Sequence, residues 1–338
     1  MRLFTRNILF LLFCFQSFNT FAFDFDFNEK PTPSPEKWTG ILGEYVKEDI
    51  KIIIREDGGS LHAIVNPGGQ KTDITLTETS PDHFSYYDVD VVFLRDQMEQ
   101  GSKLQMGDDT FHRNHIEPRD GQSFKVEMEN GLAPLLEAAL KANPPVQEGD
   151  FREPDLVDIM AVLDNVKLDI RYATTNNFLS VATYSEAKSF LQRPAVMALD
   201  KANKKLNKLG YGILVHDAYR PWYVTKIFWD ATEGPERDFV ANPQSGSKHN
   251  MGSAIDLTLY ELDSGEVVKM VGTYDEMSDR SYPEYMGGTS LERWHRDLLR
   301  TIMEAEGFKV VSNEWWHFDH KDWQKYPILN KRFDELNR

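Results

Sequence analysis

The sequence predicts an α+β domain from residue 151 onward, preceded over residues 38–115 by a small all-β, barrel-like domain. Two patterns carry this. In the later region amphipathic runs at helical spacing alternate with short β-branched runs, which suits helices on a mostly antiparallel sheet. In the earlier region short strand-like segments follow one another, separated by turns and with no helical period between them. A length of 338 residues suffices for two ordinary domains, and 41% hydrophobic content supplies their cores.

The first residues, "MRLFTRNILFLLFCFQSFNTFAFDFDF", read as a secretory leader. Arg2 and Arg6 form a positive start, Ile8 to Phe15 an apolar core, and Thr20-Phe21-Ala22 a small-residue cleavage site. The apolar run is too short to span a bilayer. Residues 1–22 are therefore expected to be a signal peptide, and the chain to be exported, periplasmic or secreted. Cys14 lies inside the apolar core, which does not suit a lipid anchor. Loss of Arg2 and Arg6 takes the formal charge from −16 to −18 and removes the one cysteine. The mature chain then has no thiol chemistry, and any metal site must use His and carboxylates. Strong acidity without a basic cluster argues against nucleic acid as a partner. No transmembrane segment is expected in the mature chain.

Residues 23–37 include "NEKPTPSPEK", a Pro-rich polar linker. The segments "IKIIIRE", "LHAIV", "TDITLTE", "HFSYYDV" and "VVFLRD" then read as strands, punctuated by "DGGS", "NPGGQ" and "SPD". With its "GxY" start and its closing Phe111 and Arg113, this region resembles the lipocalin-like β-domains appended to some bacterial serine hydrolases. Its His62, His83, His112 and His115 have no ligand-like spacing with a carboxylate and read as scattered surface or rim residues. Residues 116–150 form a connector with one amphipathic helix, "GLAPLLEAALKANPP", stopped by the Pro pair 144–145.

In residues 151–338, "SEAKSFLQRPAVMALDKANKKLNKLG" has helical spacing and a Gly210 stop. "YGILVHDAYRP" is a strand entering a turn, and "PWYVTKIFWDAT" a helix opened by Pro221. "GSAIDLTLYELDSGEVVKM" reads as two strands joined at Asp263-Ser264-Gly265. "SLERWHRDLLRTIMEAEG" is an amphipathic helix closed by Gly307, and "FKVVSNEWWHF" a final strand.

One constellation carries chemistry. In "SKHNMGSAIDLTL", His249 sits in a Gly-containing loop and Asp256 heads a strand. In "NEWWHFDH", Glu314 and His317 are three apart. His249, Asp256 and His317 offer N, O and N donors, and three protein ligands leave the open position of a catalytic zinc site. Glu314 would then stand beside the metal as a general base. On a regular strand, however, residues three apart point to opposite faces, so the pair converges only where the strand ends, bends or bulges. In "HDAYRP", Arg220 is placed to stabilise an oxyanion. Each residue also has a structural explanation when taken alone. His317 could be a core histidine, Asp256 a turn cap, Glu314 a surface carboxylate and Arg220 an ion-pair partner of Asp217.

The pieces "DIRYATTNNF", "HDAYRP", "SKHNMGSAIDLTLYELDSGEVVKMVGTYDEMSDRS" and "GFKVVSNEWWHF" occur in the order of the bacterial D-alanyl-D-alanine dipeptidases, which this chain resembles over about residues 155–320. The resemblance implies a zinc enzyme of hedgehog/D,D-peptidase-like fold that cuts D-Ala-D-Ala in cell-wall peptide turnover. It implies one zinc ion on His249, Asp256 and His317, Glu314 as catalytic base and Arg220 as transition-state stabiliser. It also places Asp275 near the substrate ammonium, and Ser247 and Tyr172 in the pocket lining. The loop between Arg220 and His249 is shorter than in the family pattern, and the β-domain is foreign to the core family. Two alternatives stay open: a D,D- or L,D-carboxypeptidase acting on longer peptidoglycan stems, and a zinc-bearing binding module without catalysis.

Overall fold

The structure, a computed structural model, describes residues 27, 29–65, 71–114 and 125–336. The expected signal peptide, His115 and the start of the connector lie outside the described residues. The chain forms two compact units, one of residues up to 115 together with 286–294, the other of residues 116–285 together with 295–338.

After a single helical turn, α1 (Glu36–Thr39), the first unit is a closed barrel of eight strands. These are β1 (Gly43–Lys47), β2 (Ile50–Asp57), β3 (Ser60–Val65), β4 (Thr72–Ser80), β5 (His83–Tyr86), β6 (Val89–Arg95), β7 (Gly101–Met106) and β8 (Asp109–Arg113). Each strand pairs antiparallel with the next, and β8 returns to β1. Alternation sends Ile52 and Ile54, Leu61 and Ala63, Ile74 and Leu76, Val91 and Phe93 to one buried cluster. An eight-stranded barrel is just wide enough for such side chains to fill. "HFSYYDV" is not one strand: it breaks at Tyr87, whose φ of +51° turns the chain between β5 and β6. The "GxY" and "F-x-R" elements meet where the barrel closes, with Tyr45 opposite Arg113. Arg113 donates to the carbonyls of Gly40 and Leu42, and the Tyr45 hydroxyl donates to that of Ile41. Within the same unit, residues 286–294 are tied to β2: Ser290 N–H donates to Glu56 Oε2 at 2.8 Å.

The second unit begins with α2 (Leu132–Lys141), then two short strands, β9 (Leu156–Asp158) and β10 (Val166–Leu168). There follow β11 (Phe190–Gln192), which pairs with β9, then α3 (Arg193–Lys208), β12 (Tyr211–Asp217), α4 (Trp222–Ala231) and β13 (Ala254–Glu261). The chain continues through α5 (Ser290–Ala305), β14 (Phe308–Val311), β15 (Glu314–His320) and α6 (Phe333–Leu336). The main sheet has the order β10-β12-β13-β15-β14. Its β10–β12 pair is parallel and its other three pairs are antiparallel, in keeping with the mostly antiparallel sheet expected. All seven residues of β12 are buried. Such a strand reads as a continuous apolar run, because both sheet faces are covered.

Two expectations are corrected. "EVVKM" forms no second strand after β13; only an isolated Tyr260–Val267 bridge follows the Asp263-Ser264-Gly265 turn. "FKVVSNEWWHF" is a hairpin rather than one strand, turning at Ser312-Asn313 between β14 and β15. Register across that hairpin jumps from Val310↔Phe318 to Val311↔Glu314. This irregularity is the break that Glu314 and His317 need in order to converge.

Gly252 closes the loop carrying His249, with φ of +64°. A β-carbon there would overlap Leu156 Cδ2, and the left-handed backbone would itself be strained. Gly252→Ala is expected to destabilise the protein by about 1–3 kcal/mol, measured as a lowered urea midpoint. An unchanged midpoint would contradict this account of the loop.

Candidate metal centre and active site

Asp217, Asp256 and His317 lie opposite one another across three adjacent strands, β12, β13 and β15. A bulge between Val215 and Asp217 sets this row at the end of β12. His249 reaches the row from the loop before β13. That loop is a series of tight turns, in which Asn250 N–H donates to the Ser247 carbonyl and Gly252 N–H to that of His249. The Asn250 side chain fixes it further, accepting from Ser247 N–H and donating to the Arg220 carbonyl and Thr225 Oγ1, each at 2.8 Å.

Three donor atoms converge. His249 Nε2 is 3.2 Å from His317 Nδ1 and 3.4 Å from Asp256 Oδ1, and Asp256 Oδ1 is 3.0 Å from His317 Nδ1. The outer atoms are all committed. His249 Nδ1 donates to the Ala218 carbonyl at 2.6 Å, His317 Nε2 donates to Asp319 Oδ1 at 2.9 Å, and Asp256 Oδ2 accepts from the Tyr274 hydroxyl at 3.0 Å. Carbonyl and carboxylate oxygens only accept, so these bonds place a proton on each outer nitrogen and a lone pair on each inner one. Asp256 Oδ1 is buried and makes no hydrogen bond.

Three lone pairs thus face one another with no donor between them, which fits a cation. In a tetrahedral site with bonds of about 2.0–2.1 Å, ligand atoms lie roughly 3.4 Å apart, the scale seen here. With no cation among them the same groups favour a proton on His317, which a bound metal ion would displace. Burial works against a charged Asp256, but His249 and His317 outweigh it and hold its carboxyl well below the usual range. Burial likewise disfavours a charged His317, yet Asp256 and Asp319 push it up to about 10. Among the described residues, these three form the one group of such side chains placed to hold a metal ion.

The cluster opens on a cavity of about 310 Å³. All eight residues singled out in the sequence line it: Tyr172, Arg220, Ser247, His249, Asp256, Asp275, Glu314 and His317. Glu314 Oε2 stands 3.7 Å from His317 Nδ1, outside the donor cluster. Burial, followed by other contributions including the Asp256 carboxylate, raises Glu314 to about 7 even though His317 and Arg220 pull it down. A carboxyl of that kind can both accept and return a proton near neutrality. Arg220 does pair with Asp217, through Nε at 2.9 Å and Nη2 at 2.8 Å. The same guanidinium lies against the rings of Tyr172 and Phe228, so the ion pair fixes it in the cavity wall. Asp275 accepts from the Tyr172 hydroxyl at 2.9 Å. Burial and then the Asp256 carboxylate raise it to about 8, so a cationic group beside it would restore its charge. Ser247 Oγ accepts from His249 N–H at 3.2 Å. A larger hollow of about 660 Å³ beside residues 125–135 and 230–233 holds no such cluster, so size does not pick the site.

Sequence reasoning missed Asp319, Tyr274 and Asn250. Asp319 was the most readable of them, since residues two apart on a strand share a face and "HFD" places a carboxylate beside His317. Tyr274 and Asn250 gave no comparable signal, because their roles depend on loop paths.

A histidine pair and a carboxylate facing a cavity, with a second carboxylate held just outside them, is the donor set of a metallopeptidase. The comparisons bear on which kind. Residues 152–337 match the D-ala-D-ala dipeptidase family. The chain is 32% identical over 179 residues to a D-alanyl-D-alanine dipeptidase of Escherichia coli K12, covering 53% of this chain and 91% of that protein. It is 36% identical over 203 residues to one from Enterococcus faecium, covering 51% and 93% respectively. A third, from Enterococcus faecalis, is 34% identical over 184 residues, covering 49% and 91%. The chain belongs to the D-Ala-D-Ala dipeptidase family.

Asp319 sets the tautomer of His317, and outer partners of this kind typically contribute about 10- to 100-fold to metal affinity. Asp319→Ala is expected to weaken metal binding by that factor in competition with a chromogenic chelator. Affinity equal to that of the unmodified protein would remove Asp319 from the site.

Proposed function

We propose that this protein hydrolyses D-alanyl-D-alanine to two D-alanines, using one zinc ion held by His249, Asp256 and His317. The observation that carries the reading is the convergence of three inner lone pairs beside Glu314 in a cavity of about 310 Å³. That volume is at the small end of ligand pockets, which run from about 300 to 1,000 Å³. It suits a dipeptide better than an extended stem. The nitrogen and oxygen donors suit zinc.

When bound, zinc polarises the scissile carbonyl and lowers the pKa of water. Glu314 takes the proton from the attacking water as the new carbon–oxygen bond forms. The carbonyl carbon becomes tetrahedral, and the Arg220 guanidinium stabilises the oxyanion. Glu314 then gives its proton to the departing D-alanine nitrogen as the carbon–nitrogen bond breaks. Asp275, oriented by Tyr172, receives the substrate ammonium, and Ser247 and Tyr172 line the pocket.

D-alanine release from D-Ala-D-Ala, beside a stem pentapeptide, tests the substrate. Release from the dipeptide supports the reading, release only from the pentapeptide moves the assignment to a carboxypeptidase, and release from neither leaves a binding module. Glu314→Ala is expected to keep its metal and lose about 10²- to 10⁴-fold in kcat, whereas His317→Ala loses both metal and activity. Metal loss in Glu314→Ala would make Glu314 a ligand instead.

Glu314 must be ionised to accept a proton, so kcat/KM should rise with pH on the acid side. Its raised value of about 7 sets the upper bound of that limb, because a nearby cation favours the carboxylate. A rate already flat well below pH 5 in metal-saturated protein would contradict Glu314 as the base.

We propose further that residues 1–22 direct export and that the enzyme salvages dipeptide released from the cell wall. The basic, apolar and small-residue order of that segment supports this. Recovery of the native protein in the cytoplasm on fractionation would overturn it.

A further inference from the structure

We propose that Lys248 anchors the C-terminal carboxylate of the peptide substrate, a role that rests on the peptidase reading above. Lys248 lies between Ser247 and His249 and lines the same cavity. Two cationic side chains, Arg220 and Lys248, are among the lining residues. Arg220 is engaged by Asp217 at 2.8 and 2.9 Å. Lys248 Nζ is 3.5 Å from Asp319 Oδ2, longer than the roughly 2.7–2.9 Å of a charge-assisted hydrogen bond. It lies 5.4 Å from the centre of the Trp323 ring, and its side chain stays 38% exposed. An ammonium held this loosely can turn to a ligand with little lost.

Lys248 is linked to the donor cluster through Asp319. Asp319 holds His317 Nε2 with one oxygen and faces Lys248 with the other. Lys248 therefore stands one carboxylate and one imidazole away from the metal-facing Nδ1 of His317. The terminal carboxylate of a peptide lies one residue, about 3.8 Å of chain, beyond the scissile carbonyl. In this proposal the flexible lysine stem turns Nζ from Asp319 into the cavity to meet that carboxylate. Asp256, Asp275 and Glu314, which also line the cavity, would repel a carboxylate rather than bind it. Asp275 toward the ammonium and Lys248 toward the carboxylate would read both ends of a free peptide.

The test compares D-Ala-D-Ala with its C-terminal amide, binding to zinc-loaded Glu314→Gln protein by calorimetry. The free acid is expected to bind about 10- to 100-fold tighter than the amide, as a hydrogen bond between charged groups allows. Adding Lys248→Met should remove that gap and leave amide affinity unchanged, while Lys248→Arg keeps most of it. A gap that survives Lys248→Met, an equal loss for both ligands, or no gap in the parent protein would each overturn the proposal. An equal loss would show that Lys248 only neutralises Asp319. Turnover of D-Ala-D-Ala by the unmodified protein is scored separately, so the dipeptidase reading stands or falls on its own result.

Discussion

The pairing of Asp256 with His317 across β13 and β15 is the constraint on which the site depends. It puts a carboxylate and an imidazole side by side on one face of a buried sheet, where neither could remain uncompensated. Everything around them answers that problem. His249 brings a third donor, the Ala218 carbonyl and Asp319 fix the outer protons, and Tyr274 holds the far oxygen of Asp256. A cluster built in this way is poorly stable without positive charge at its centre. The chemistry and the stability of the fold therefore share one requirement.

The row also explains how the remaining groups are held. Asp217, next to Asp256 in register, fixes Arg220 and accepts from the Tyr184 hydroxyl and Ala218 N–H. Ala218 in turn orients His249. One short segment thus sets both a histidine of the donor cluster and the guanidinium, and Asn250 ties the two loops together from the other side. Preorganisation of this kind lets charged groups act at the moment of reaction without rearranging.

Much of this was legible in the sequence. The continuous apolar run of "GILV" and the alternation of "AIDLTL" mark strands, and Asp256, near the start of its strand, lines the cavity. The eight residues picked from spacing and family resemblance do line one cavity. The conflict between a strand reading of "NEWWHF" and the need for Glu314 and His317 to converge pointed to a break, and the hairpin supplies it. Less was legible in the loops. "EVVKM" has strand composition but gains only one bridge, since composition does not say whether a partner edge is free. Three barrel strands, β1, β7 and β8, were not read as separate segments. Strands such as "GSKLQM" and "DTFHR" carry few β-branched residues and are specified by closure of the barrel rather than by local preference.

Metal content is the most direct test of the central claim, that the three inner lone pairs require a cation. The purified protein should contain one zinc per chain by atomic emission, and removal of that zinc by a chelator should lower Tm and be reversed by adding zinc back. A protein that is isolated without metal, or whose Tm is indifferent to its removal and return, would contradict the account.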